Sequence, residues 1–202
     1  MKIVRVETLI SAGTFAASVD WNAIRSDLHK EVRAVDWPPG SGSFVIYPES
    51  GKKRGKGNGV KPIKNGLIRR LQAKGWKAEE PLALPVDAQP GALDVTFYAP
   101  GGPVALEWET GNISSCHRAL NKMSLGLLKG LLAAGVLVVP SRRLYRYLTD
   151  RVANFDELEP YLDLWRSVPC SQGILELVVV EQDGESTSVP RIPKGTEGRA
   201  LG

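Results

Sequence analysis

Apolar residues recur along this chain at two spacings, every second position in some stretches and every third or fourth in others, and the switches between them mark out the elements. Lys2–Thr8 alternates apolar and polar residues and predicts a short strand. Asp20 predicts an N-cap, after which Trp21, Ile24, Leu28, Val32 and Val35 fall at helical spacing as a core-facing stripe, ended by Trp37-Pro38-Pro39-Gly40. A short apolar run at Phe44–Tyr47 lies in loop-rich sequence. Asn65 then predicts the cap of a second helix, with Leu67, Ile68 and Leu71 apolar and Gly75 closing it.

The centre of the chain reads as a hairpin. Leu93–Tyr98 alternates, Pro100-Gly101-Gly102-Pro103 supplies the reversal, and Val104, Leu106 and Trp108 point one way while Glu107 and Glu109 point the other. Asn112 or Ser114 opens a helix with Leu120, Met123, Leu127 and Leu131 as its buried stripe and Gly135 as its stop. Val136–Val139 predicts a buried strand, and Ser141 caps a basic helix carrying Arg142, Arg143 and Arg146. Asp156 starts a helix towards Trp165, and Gly173–Val180 is the last strand. The order of elements describes a mixed α/β domain without internal repeats. The length of 202 residues suits one core, so residues 1–181 are expected to form a single domain and 182–202, rich in Gly, Pro and polar residues, an arm or tail.

An apolar share of 43% and a charged share of 24% are those of an ordinary globular protein, which sets aside disordered and fibrous classes. Leu125–Val139 is the most hydrophobic segment, but Lys129 and three glycines interrupt it, so a buried helix and strand fit better than a membrane span. The N-terminus carries no apolar stretch of the signal-peptide kind. Cys116 and Cys170 are too few for a disulfide framework and lack zinc-site spacing, which favours a reducing, cytoplasmic setting. Cys116 and His117 are adjacent on a helix, about 100° apart, a poor geometry for a thiol nucleophile and its base.

Net charge is only +4, but between Glu49 and Glu79 there is no acid, while Lys52, Lys53, Arg54, Lys56, Lys61, Lys64, Arg69, Arg70, Lys74 and Lys77 are interleaved with glycines. Glycine lets a loop follow a phosphate backbone, and the cations supply the counterion release that dominates nucleic-acid affinity. A solvated flexible loop is the plainer explanation of such a run. Opposite in character is the hairpin, which brings Asp94 towards Glu107, with Glu109 on the same face. Acids on the open face of a hairpin are ordinary. Three that cluster are costly unless a cation neutralises them, and hard oxygen ligands are what magnesium takes beside a phosphate.

Asp94, twelve intervening residues and Glu107-Trp108-Glu109 resemble the PD-(D/E)xK nuclease signature with Glu in place of the usual lysine. That departure is similar to the BamHI/BglII/BstYI branch of type II restriction endonucleases. Met1-Lys2-Ile3-Val4-Arg5-Val6, the helix after it, and Asn65 through Leu71-Gln72-Ala73-Lys74-Gly75-Trp76 also look like that branch, and the likeness covers roughly residues 1–140. It implies a restriction-endonuclease-like core, an α/β fold with a central mixed sheet flanked by helices. It further implies magnesium-dependent hydrolysis of double-stranded DNA by a homodimer at a palindromic site, with GATC at the centre of the sites cut by members nearest in pattern.

On that resemblance Asp94 and Glu107, with the Trp108 carbonyl, would hold Mg2+, and Glu109 would orient or deprotonate the attacking water. Lys122 is the alternative source of the missing lysine charge. Lys61, Lys64, Asn65, Asn112, Ser114, Ser115, His117, Arg118, Asn121 and Lys122 are the candidate DNA contacts, with His117, Arg118, Asn121 and Lys122 expected to face away from the core. Asn65 and the serines serve equally well as helix caps. Two other readings remain open from the residues: a structure- or damage-directed repair nuclease of the same fold, and a DNA-binding protein without catalysis.

Overall fold

The computed structural model describes residues 1–52, 55–82, 91–149 and 152–194. In chain order the elements are β1 (Lys2–Ala12), α1 (Gly13–Ala16), α2 (Val19–Arg33), β2 (Val45–Ile46), α3 (Lys61–Gln72), β3 (Lys77–Pro81), β4 (Ala92–Ala99) and β5 (Gly102–Trp108). Then come α4 (Ile113–Leu128), β6 (Ala134–Pro140), α5 (Arg142–Tyr145), α6 (Phe155–Leu158), a 3-10 turn, α7 (Leu162–Arg166), β7 (Gly173–Glu181) and β8 (Gly184–Glu185). Six strands form one mixed sheet in the order β1-β7-β6-β5-β4-β3, and β2 pairs with β8 in parallel beside it. The expected central mixed sheet flanked by helices is therefore present.

Two apolar layers enclose the sheet. Trp21, Leu28 and Val32 of α2 and Ile63, Leu67 and Leu71 of α3 join Val104, Leu106 and Trp108 of β5 on one face. Leu120, Met123 and Leu127 of α4 join Ala105, Leu137, Val139 and the α6–α7 residues Phe155, Leu158 and Trp165 on the other. β6 is buried along its whole length and β7 over all but its last residue, as continuous apolar strands between two helical layers should be. Parallel pairing of β5, β6 and β7 follows from the helical crossovers between them.

Local chemistry departs from the sequence expectation at several ends. The first strand runs on to Ala12, because the pairing with β7 continues to Gly173. Ser18, not Asp20, caps α2 by accepting the Trp21 N–H at 3.1 Å, and Asp20 sits in the first turn where its charge favours the helix N-terminus. α3 begins at Lys61 after Val60, so Asn65 is an exposed interior residue instead of a cap. Gly130, at φ 66°, follows the end of α4, whereas Gly135 lies inside β6. A Cβ at Gly135 would lie 2.9 Å from Met123, so that glycine lets α4 approach the sheet. The helix towards Trp165 starts at Phe155 and is broken at the 3-10 turn of Glu159–Tyr161, which contains Pro160. β3, a charged edge strand, had no apolar signal to announce it.

The chain after β7 runs along the body. Asp183 accepts the Phe44 N–H at 2.6 Å, and Ile192 is buried, its N–H donating to Asn58 Oδ1 at 3.1 Å. Asn58 is itself wholly buried and donates from Nδ2 to the carbonyls of Tyr47 at 2.9 Å and Tyr147 at 2.8 Å. One amide thereby ties three distant segments together. Lys53 and Arg54 of the basic run lie outside the described residues, as do residues 195–202.

Candidate active site

The β4–β5 hairpin pairs Val95 with Leu106 and Thr96 with Ala105. Continuing that register by one residue sets Asp94 opposite Glu107. The ladder ends there because the Asp94 carboxylate takes the next donor for itself: Oδ2 accepts the Trp108 N–H at 2.8 Å. Its other oxygen lies 2.5 Å from Lys64 Nζ, delivered by α3 from one side of the sheet. Glu107 shares the face of Ala105, beneath α4, and is clasped by the Lys122 ammonium, which also donates to the Ala92 carbonyl at 2.8 Å.

Lys122 therefore does not face away from the core with its neighbours; it is buried and turned into the acidic pair. The reason is electrostatic. Glu107 is pushed up to about 7, first by burial and then by Asp94, with Lys122 and Lys64 opposing both. A carboxylate in that position recruits a cation, and a long lysine side chain from the crossing helix reaches it. Lys64, expected to sit among the free phosphate contacts, is likewise engaged with an acid.

Glu109 lies just past the end of β5, where its backbone N–H still donates to Val138 O at 3.3 Å. Its carboxylate folds back on its own loop, with Oε1 accepting the N–H groups of Thr110 at 2.9 Å and Gly111 at 2.7 Å. A Cβ at Gly111 would lie 2.8 Å from Ser115 Oγ and 2.9 Å from Glu109 Oε1, so a side chain there would have to displace one of those two oxygens. Among the described residues no three acidic, His or Cys side chains converge closely enough to hold an ion as they stand. The donor set nevertheless suits a hard divalent cation: two facing carboxylates that already carry positive charge on their oxygens.

The strand on the other side of Asp94 is irregular. β3 pairs Ala78 with Val95 and Glu80 with Leu93, so Glu79 between them falls opposite Asp94, with the left-handed φ of 54°. Sequence reasoning passed over Glu79, whose strand has no apolar periodicity; its signal is the backbone irregularity at the site, visible only in three dimensions.

The remaining candidates lie on α3 and the start of α4. Lys61 and Asn65 are exposed on α3. Asn112 caps α4 by accepting the Ser115 N–H at 3.2 Å, Ser114 is exposed, and Arg118 Nη2 donates to Ser115 Oγ at 3.4 Å. His117 packs edge-on against Tyr161 and Trp165, with centroids 4.9 and 5.3 Å away, and Asn121 Oδ1 accepts the Trp165 indole N–H at 3.0 Å. These contacts position both side chains from the α7 region, and Asn121 stays exposed. The Cys116 thiol is buried and pushed far up by that burial, then by Glu109, which leaves no thiolate for nucleophilic chemistry. Part of the basic run is also neutralised locally: Lys56 lies 3.4 Å from Glu49, and Arg70 3.8 Å from Glu31.

The family described as restriction endonuclease BamHI matches residues 1–199 of this chain. The chain belongs to the BamHI family of restriction endonucleases. The type II restriction enzyme OkrAI of Oceanobacter kriegii is 47% identical over 201 residues, covering 100% of both chains. The type II restriction enzyme BamHI of Bacillus amyloliquefaciens is 34% identical over 172 residues, which cover 80% of this chain and 75% of that enzyme. A crystal structure of restriction endonuclease BglII complexed with a DNA 16-mer shares the fold, at a TM-score of 0.62 and 13% identity over 91% of this chain and 79% of BglII. This BamHI-family member is thus a type II restriction enzyme, a site-specific deoxyribonuclease. No described helix is long and apolar enough to cross a membrane.

Proposed function

We propose that this enzyme hydrolyses phosphodiester bonds in both strands of a palindromic double-stranded DNA site, with magnesium, as a homodimer. The observation that carries the reading is the placement of Asp94 opposite Glu107 at the end of the β4–β5 hairpin, each acid holding a lysine from an opposite side of the sheet. Two facing anions are stable there only with cations on them, and the substrate brings further negative charge to the same place. The BglII structure in complex with DNA supports the choice of substrate.

Asp94 and Glu107, with the Trp108 carbonyl, would hold Mg2+, which when bound supplies charge neutralisation at the scissile phosphate and acidifies water. Every other role falls to side chains of the chain. Glu109, anchored by two backbone N–H groups, is held in one orientation in which its free oxygen can accept a proton from the attacking water. Lys122 and Lys64 shift from the carboxylates towards the phosphate oxygens as the anionic substrate arrives, keeping the pocket near neutrality. Lys61, Asn65, Asn112, Ser114, Ser115, His117, Arg118 and Asn121 contact the DNA backbone or base edges on this reading.

A two-fold dimer places two such centres on the two strands, since protein symmetry mirrors that of the site. The site is built around GATC, as the resemblance implies. Residues 1–181 form one nuclease domain and 182–202 its C-terminal arm, and the enzyme acts in the cytoplasm, where the free Cys116 and Cys170 stay reduced. The test is to incubate the purified enzyme and its Asp94→Asn variant with random duplex DNA and Mg2+ and to sequence the ends. The expected outcome is one palindromic sequence at the ends made by the wild type and none from the variant. Ends without a common sequence would remove the palindromic-site reading.

A further inference from the structure

A groove separate from the acidic centre lies between the loop after β2 and helix α5, lined by Ser50, Lys52, Arg142, Tyr145, Arg146 and Tyr147 and enclosing about 360 Å3. Among the described residues, Lys52, Arg142 and Arg146 form no ion pair, while Arg143 between them is held by Glu181 at 3.2 Å and Glu185 at 3.3 Å. Three cations are thus left facing a concavity with aromatic walls. The Arg142 guanidinium lies 5.1 Å from the Tyr145 ring, and the Tyr147 hydroxyl is fixed on Glu185 at 2.8 Å.

The groove is built, since its two walls are joined through the backbone. The Gly51 N–H donates to Arg146 O at 3.0 Å and the Asn58 N–H to Tyr147 O at 2.7 Å. A Cβ at Gly51 would lie 1.5 Å from Leu148 O, so the loop sits against α5 only because that residue is glycine. The position is also telling. β6 runs parallel to β5, with Val138 beside Trp108, and α5 starts just beyond the end of β6. The groove therefore opens at the same end of the sheet as Glu107 and Glu109. Its other wall leads through Asn58 into α3, which carries Lys64 to Asp94.

We infer that this groove is a second phosphate site, one that holds the DNA backbone outside the cleaved step. The inference rests on the proposed DNA substrate. Guanidinium groups without protein partners exchange water and counterions for phosphate oxygens, often in bidentate fashion, and such contacts fix register without reading sequence. The tyrosine rings offer flat apolar surface to a sugar. Contacts of this kind make affinity depend on the duplex beyond the recognised bases.

The test is equilibrium binding of wild type and an Arg142→Ala/Arg146→Ala variant to two duplexes carrying the cleaved sequence, one trimmed to it and one with flanks of a full helical turn, across a salt series. Both arginines are exposed, so the fold should survive, and circular dichroism checks this. Wild type is expected to bind the flanked duplex more tightly. The variant is expected to lose that advantage, on the order of tenfold per arginine, and to reduce the slope of log K against log salt by about 2. An Arg142→Lys/Arg146→Lys variant should keep the slope. Unchanged slope and flank advantage in the alanine variant, with wild type binding normally, would overturn the groove while leaving the substrate intact. Failure of the wild type to bind any duplex would overturn both.

Discussion

The Lys122 ammonium rests on the Glu107 carboxylate beneath α4, and with side-chain exposures of 7% and 9% neither shares its charge with much water. Across the hairpin Asp94 is matched by Lys64 from the opposite layer. The two acids are thus neutralised by helices from the two layers, Glu107 buried and Asp94 half-buried. Stability and catalysis are coupled there.

Replacing Lys122 by Met should therefore cost about 1–3 kcal/mol at pH 8, because the buried carboxyl loses its partner and must take up a proton. The loss should shrink at pH 5. Glu107 already titrates at about 7, above its ordinary value, so the folded form holds a proton that the unfolded form has released; stability falls as pH rises through that window, and more so without Lys122. Urea midpoints of the metal-free proteins at the two pH values check this. Equal losses at both would count against the buried-pair account.

Glu109→Gln keeps an acceptor for the Thr110 and Gly111 N–H groups but cannot take a proton. Cleavage under single-turnover conditions should fall about 100-fold or more, in the range of a lost general base, while DNA binding measured by anisotropy stays near wild type. A Gln variant that cuts at the wild-type rate would hand the role to another group.

Asn58→Ala removes the clamp on Tyr47, Tyr147 and Ile192, leaving buried groups without partners. A loss of about 2–4 kcal/mol is expected. Trypsin should also cut sooner after Arg191 and Lys194 than in the wild type, since the arm loses its anchor. Unaltered cleavage at those bonds would show that the arm is held by other contacts.

Gly135→Ala places a methyl group 2.9 Å from Met123 and should destabilise by about 1–3 kcal/mol through overpacking. Met123→Ala in the same chain should recover part of that cost, giving a coupling of opposite sign to simple addition. Additive losses in a double-mutant cycle would separate the two residues.

Much of the centre was legible because the signals are local. Alternation in Leu93–Tyr98 and Val104–Trp108, with a Pro/Gly reversal between them, predicts a hairpin that brings Asp94 towards Glu107, and the tight turn pairing Ala99 with Gly102 fixes the register that sets them opposite. Asn112 is a cap by its own chemistry. Misreadings came where one residue type serves two purposes. Glycine ends helices and also admits close packing, so the pattern predicts a stop at Gly135, which in the fold seats Met123. The helical angle of Lys122 predicts a solvent face, since it says nothing of a buried acid on the neighbouring strand.

By itself the sequence determined the alternating and helical stripes, the hairpin carrying the acids, and the likeness to a branch of restriction endonucleases, all properties of residues near one another along the chain. The tertiary structure alone decided which cations meet those acids, that Glu79 stands opposite Asp94, and that Asn58 ties down the C-terminal arm. These depend on contacts between segments far apart in sequence, which no periodicity encodes: a lysine finds its carboxylate only after the sheet and both helical layers have closed around it.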